Sequence, residues 1–235
     1  MLIAAALAVT LAAPTPVLLE LFTSEGCSSC PSADAVLRDL EASGHVRGAL
    51  IIALEEHVDY WDNLGWKDPY SSARFTARQK DYAGWFGRGR IYTPQLVVDG
   101  AHELVGSDSS AARDAIAVSA QAKKPALKLV EVNGRVTIDL EALAAGEPAE
   151  VHLVVAELGL VTKVERGENE GRTLGHAAVA RSFETVGAVA SGKAFHLEGA
   201  VKLDPAWKKG QLRIVAFVQG KESHRVLAAA AVPVG

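Results

Sequence analysis

The chain has 235 residues, of which 49% are hydrophobic and only 6% aromatic, and its formal net charge is −4. That length permits one large domain or two small ones with their own cores, and an acidic balance without a basic stripe argues against a nucleic-acid partner. Two cysteines are too few to staple a whole scaffold, so their effect must be local.

Taken in order, Met1 to Ala13 (MLIAAALAVTLAA) is apolar, too short to span a bilayer, and carries small residues at Ala6, Ala8, Ala12 and Ala13. It matches the apolar region of a signal peptide, which predicts an exported, periplasmic or secreted protein. The absence of Lys or Arg before it leaves a frayed or docked N-terminal helix as the alternative. No later segment is long and apolar enough to cross a membrane, so the mature chain is expected to have no integral membrane segment.

Val17 to Phe22 reads as a buried strand and Ser32 to Ser43 as a helix ended by Gly44. Between them, Glu20 to Ser32 (ELFTSEGCSSCPS) holds both cysteines, Cys27 and Cys30, with Pro31 suited to a first helical turn. Unpaired N–H groups at a helix start stabilise a thiolate, so Cys27 reads as a nucleophile and Cys30 as the thiol that resolves a mixed disulfide. The competing reading is a structural disulfide in an oxidising compartment, although so short a loop gives little chain-entropy stabilisation. Ala49 to Leu54 is a second apolar run, and strand, helix and strand make a βαβ unit with a parallel sheet.

Glu55 to Trp66 (EEHVDYWDNLGW) packs one His, two Trp, one Tyr and four acids into a loop-like dozen residues at the strand ends where open α/β sheets bind ligands. His57 and Asp59 could move protons or tune the thiolate, with Tyr60, Trp61 and Trp66 as a groove wall. Equally, His57 could hold the loop and the aromatics cover the sheet edge. Asp68 to Phe86 is predicted helical, with Asp68 as N-cap, Pro69 in first position and Phe75, Tyr82 and Trp85 facing the core. Ile91 to Gly100 (IYTPQLVVDG) reads as turn, strand and Asp-Gly corner, His102 to Val105 as the returning strand, and Ser107 to Gln121 as a helix.

Lys123-Lys124-Pro125 is the expected boundary, after which Asn133-Gly134 joins two alternating runs, Leu127 to Val132 and Val136 to Leu140, into a hairpin. Apolar runs at Val151 to Leu160, Ala177 to Val186, Ala194 to Leu203, Leu212 to Val218 and Val226 to Val234, with no convincing helix, predict an antiparallel sandwich. Lys123, Lys124, Lys208 and Lys209 read as solvated charges. Glu168, Asn169, Arg172 and His176 form either a contact loop that faces the thiols or a partner, or a turn network between two strands.

The order of elements, with Thr93-Pro94-Gln95 placed after CSSC, resembles the thioredoxin fold over residues 17 to about 122. The resemblance implies that Pro94 is a cis-proline and that the Thr93, Pro94 and Gln95 loop presents backbone groups to a substrate at the thiols, beside which Tyr60 and Trp61 are read as substrate-binding groove residues. ELFTSEGCSSCPSAD, HVDYWDNLGWKDPYSS, FTARQ, YTPQLVVDG and GENEGRTLGHAAVAR together are similar to a bacterial secreted, thioredoxin-like family known as domain of unknown function twelve-twenty-three. Unlike ordinary thioredoxins, Gly26 replaces the usual Trp and Ser28-Ser29 the usual Gly-Pro. The expected layout is a leader over 1–13, a thioredoxin-like domain over 17–122 and a β-sandwich-like domain over 125–235. The expected activity is thiol–disulfide exchange with an exported protein, a small thiol or a redox partner, without a cofactor. Two alternatives are a copper or zinc chaperone using Cys27, Cys30 and His57, and a binding module whose disulfide is structural.

Overall fold

The structure is a computed structural model that describes residues 13–235. The leader read at residues 1–13 therefore lies, except for Ala13, outside the described residues. The first half runs β1 (Thr15–Thr23), α1 (Cys30–Ser43), β2 (His45–Val46), β3 (Ala49–His57), α2 (Ala73–Trp85), β4 (Gln95–Val98), β5 (His102–Val105) and α3 (Ser109–Ser119). The second half supplies strands alone among its longer elements: β6 (Leu127–Val132), β7 (Arg135–Leu140), β8 (Ala149–Leu158), β9 (Val161–Lys163), β10 (Thr173–Gly175), β11 (Ala178–Val189), β12 (Phe195–Ala200), β13 (Leu212–Gly220) and β14 (Val226–Pro233). Among the described residues no helix is long and apolar enough to cross a membrane.

The apolar runs of β1 and β3 pair in parallel, and β4 lies antiparallel on the other edge of β1. Parallel strands must be covered on both faces, and their alternation divides the cover. Val17, Leu19, Leu21, Ile51 and Ala53 pack with Leu37 and Leu40 of α1 and Ile116 of α3. Leu18, Phe22, Ile52 and Leu54 pack with Phe75 and Tyr82 of α2. Asn133 and Gly134 turn the β6–β7 hairpin at φ 52° and 76°, the left-handed pair that such a two-residue turn requires.

The expected boundary marks a change of pattern and not a break in the sheet. One nine-stranded sheet runs β14-β13-β8-β11-β3-β1-β4-β5, with β2 on β3, through both halves. Its junction is the parallel contact of Val179 in β11 with Glu55 in β3. The three-stranded sheet β12-β7-β6 covers Ile214, Ala216 and Val218 of β13, on the face opposite α2, which takes Val215 and Phe217. The molecule is thus mixed α/β, with a large open sheet and few helices.

Four expectations need correction. Trp85 does not face the core but lies exposed at the end of α2, stacked on His224. Glu55, Glu56 and His57 end strand β3 and do not start a loop. Helix α2 begins after Ser72, whose side chain accepts from Arg74 N, because Asp68 is drawn into other bonds and caps nothing. Lys124 is not solvated, since its Nζ lies 2.7 Å from Asp99 Oδ2 and donates to Pro16 O at 2.7 Å, which pins the linker to β1. Lys123, Lys208 and Lys209 are exposed as expected.

Candidate functional site

Cys27 and Cys30 are joined in a disulfide with their Cα atoms 5.4 Å apart, and both residues are fully buried. Cys30 is the first residue of α1, and Cys27 lies in the turn before it, where Cys30 N donates to Cys27 O. Ser29, at the N-cap position, caps nothing with its side chain, whose Oγ lies 3.3 Å from Cys27 Sγ. Across the turn stands the Thr93–Pro94 peptide, which is cis, and Thr93 Oγ1 donates to Cys27 Sγ at 3.4 Å. Trp61 Nε1 donates to the same Thr93 Oγ1 at 2.9 Å. A Cβ at Gly26 would stand 3.2 Å from Trp61 Cβ, so the small residue before Cys27 makes room for this indole.

Of the other expected site residues, Tyr60 lies within reach of the Thr93 hydroxyl, which opposes the upward push of burial on its phenol, and Asp59 and Gln95 bond elsewhere. Asp59 Oδ1 accepts from Thr76 Oγ1, and Tyr60 Oη donates to Gln79 Oε1 at 3.3 Å. Gln95 is buried, with its Oε1 accepting from Gln79 Nε2 and its Nε2 donating to Glu103. Thr93 therefore stands against Cys27 Sγ with Trp61 bonded to it, while Asp59 and Tyr60 tie their loop to α2 and Gln95, in β4, bonds to α2 and β5. The ligand set Cys27, Cys30 and His57 is not assembled: the sulfurs are bonded to each other, and His57 faces Asp68 and Glu55.

Behind the turn lies a sealed set of charges that sequence reasoning named only in part. His57 Nδ1 is 2.7 Å from Asp68 Oδ2, which also accepts from Glu25 N at 2.8 Å. His176 Nε2 is 3.1 Å from Glu25 Oε1, and Trp66 Nε1 donates to Glu25 Oε2 at 2.8 Å. Glu55 stands between the imidazoles, 3.0 Å from His176 Nδ1 and 3.7 Å from His57 Nε2. Burial pushes the Glu55 carboxyl up, but the neighbouring His176 and His57 outweigh it and hold it down at about 2. Burial opposes charge on His176 as well, yet Glu25 and Glu55 raise it to about 9. Asp34 of α1, whose Oδ1 accepts from Thr23 Oγ1, is raised to about 7 by burial and by the charge of Glu55. Glu25, Asp34, Glu55 and Asp68 are the members that sequence reasoning missed. The available signal was the two-residue period of ALIIALEEH, which sets Glu55 and His57 on one face of a buried strand.

The second-half loop is fastened over this centre. Asn169 is fully buried, and its Nδ2 donates to Glu25 O at 2.8 Å and to Cys27 O at 2.9 Å. Glu168 Oε2 accepts from Ser28 N at 2.9 Å, and Arg172 Nη1 braces Asn169 Oδ1. The loops pass closely where Gly65 (φ 104°) meets Gly167 (φ 79°), and a Cβ on Gly65 would lie 3.3 Å from Gly167 Cα. The two readings open for this segment are both met: Val164, Gly167, Asn169, Gly171 and Arg172 form a network of turn bonds between β9 and β10, and the same loop contacts the thiol turn. Asn169→Ala removes two bonds from buried carbonyls, so a loss of about 1–3 kcal/mol is expected in urea unfolding, together with faster reduction of the disulfide by a small phosphine. Unchanged stability and reduction rate would rule out the fastening.

The fold and site define a class: mixed α/β proteins with a CxxC disulfide set between a parallel strand and a helix, opposite a cis-proline. Residues 18–219 match the family described as Protein of unknown function (DUF1223), and the chain belongs to that family. Its structure is similar to the crystal structure of protein AGR_C_4864 from Agrobacterium tumefaciens, at 26% identity, TM-score 0.73 and 93% coverage of both chains. It is also similar in fold to HBP35 of Porphyromonas gingivalis, at 16% identity and TM-score 0.63, covering 95% of this chain and 76% of that one. No curated protein matches the chain.

Proposed function

We propose that this protein performs thiol–disulfide exchange through Cys27 and Cys30, on a thioredoxin-like unit of residues 17–122 followed by a β-sandwich-like unit of 125–235. The reading rests on one observation above all: Cys27 Sγ sits beside the hydroxyl of Thr93 in the cis Thr93–Pro94 loop. The order β1, α1, β3, α2, β4, β5, α3 supports it as well. From the oxidised state, a partner thiolate attacks Cys27 Sγ, the Cys27–Cys30 bond breaks, and Cys30 leaves as the thiolate. A second partner thiol then releases Cys27, so the partner gains a disulfide while the protein takes up two electrons and two protons. The same steps in reverse reduce a partner. The apolar leader makes exported proteins or small thiols the partners, met in the periplasm or outside the cell.

The test is the equilibrium of the CSSC pair with glutathione. A potential within the range of exchange catalysts, roughly −120 to −270 mV, is the expected result. A value below about −300 mV would make the bond structural and overturn the reading.

A further inference from the structure

We propose that Glu55 Oε2, His57 Nε2 and His176 Nδ1 form a buried binding site for a divalent first-row transition-metal ion, with zinc as the probe. These three atoms lie within 4.8 Å of one another. Around a tetrahedral zinc with bonds of about 2.0–2.1 Å, neighbouring ligand atoms stand about 3.3–3.4 Å apart. The separations of 3.0 Å and 3.7 Å from Glu55 Oε2 to the imidazoles bracket that value. All three side chains are fully buried, and beyond the ion-pair separations from Glu55 Oε2 to the two imidazoles none of the three atoms has a hydrogen-bond partner among the described residues. Buried polar atoms are nearly always hydrogen-bonded, so three that face only one another, without a well-formed hydrogen bond, leave a place for a common partner.

The opposite atom of each side chain is already held, as in metal sites, where outer carboxylates or backbone groups orient the ligands. Asp68 holds His57 Nδ1, Glu25 holds His176 Nε2, and Glu55 Oε1 accepts from Ala177 N at 2.9 Å. Glu55 is thereby left with one oxygen to offer. Tyr70 closes the site, its ring edge-on to both imidazoles at centroid distances of 5.4 and 5.6 Å. Two imidazoles and one carboxylate are borderline donors suited to zinc and its neighbours in the series. Binding displaces any protons on the imidazoles. The ion would join β3 to the start of β11 and, through Glu25, brace the turn that carries Cys27.

The test uses the full chain in its disulfide form, so that no thiolate can ligate, stripped by refolding through a chelator. Calorimetry with Zn2+ should give one ion per chain with Kd below about 1 µM, and Co2+ should produce visible d–d bands without a sulfur charge-transfer band. His176→Gln should weaken binding strongly, and the milder Asp68→Asn by about 10–100-fold. No zinc uptake and no cobalt spectrum in the wild-type chain would overturn the site, whatever the variants do. So would binding that the Asp68→Asn and His176→Gln variants, folded by circular dichroism, retain in full.

Discussion

Cys30→Ser is expected to stall with Cys27 covalently joined to its partner, whereas Cys27→Ser should fall to the uncatalysed rate and capture nothing. The asymmetry follows from position. Cys30 is the first residue of α1, in the helical frame that continues into the buried Ala33 and Leu37. Cys27 lies ahead of that frame, where Ser29 Oγ and Thr93 Oγ1 stand 3.3 and 3.4 Å from its sulfur. Hydroxyl donors and the helix start both favour a thiolate at Cys27 over one at Cys30. Intact-mass analysis after incubation with glutathione disulfide and with an oxidised cysteine peptide reads the adducts directly. Equal capture by the two variants would remove the assignment of roles, and capture by Cys27→Ser alone would reverse it. Both cysteines are buried, so capture also requires the Asn169 latch to open. The Asn169→Ala change should therefore speed adduct formation in the Cys30→Ser background.

What the sequence disclosed follows the range over which each signal acts. Apolar runs and turn chemistry are local, so β1, β3, the Asn133-Gly134 hairpin and the segment around Pro94 are readable from neighbouring residues. The Asp68-Pro69 pair satisfies the local rule for a helix start, and tertiary bonding overrode it: the carboxylate satisfies Glu25 N and His57 instead, and the helix waits for Ser72. The single sheet was hidden for the same reason, because Val179 beside Glu55 is a pairing that no local pattern encodes. His176 and Glu25 are 151 residues apart in the chain, yet they share a hydrogen bond. Strings that look independent in the sequence, around Cys27, Trp61, Thr93 and Asn169, converge on one disulfide. The order of strands and the resemblance place Trp61 and Thr93 near the thiols, whereas the bonds from Asn169 to Glu25 O and Cys27 O join residues more than 140 positions apart and come from the folded chain alone.

Arg78→Met should lower stability by about 3–5 kcal/mol, with a fall in Tm of roughly 10 °C. The Arg78 side chain is 13% exposed and that of Glu20 fully buried, and Arg78 Nε donates to Glu20 Oε1 at 2.6 Å. Its other nitrogens reach Tyr82 Oη at 3.0 Å and Gln219 Oε1 at 3.1 Å, while Tyr82 Oη donates to Glu20 Oε2. The same group lies 4.8 Å from the centre of the Phe183 ring and 5.4 Å from that of Phe217. Arg78 Nε also lies 3.7 Å from Glu56 Oε1, and burial, then the carboxylate of Glu20, push Glu56 well above its ordinary range. Methionine keeps the apolar stem but leaves Glu20 buried and uncompensated, which is the costly way to break such a pair. Adding Glu20→Gln to Arg78→Met should then recover much of the loss, although Glu20→Gln alone is destabilising. A loss below about 1 kcal/mol would mean the pair behaves as a surface contact. Because Glu20 belongs to β1 and Gln219 to β13, Arg78 ties α2 to both halves of the sheet. If that tie matters, urea should shift one cooperative transition as a whole; two separated transitions in Arg78→Met would mean that the halves had come to unfold independently.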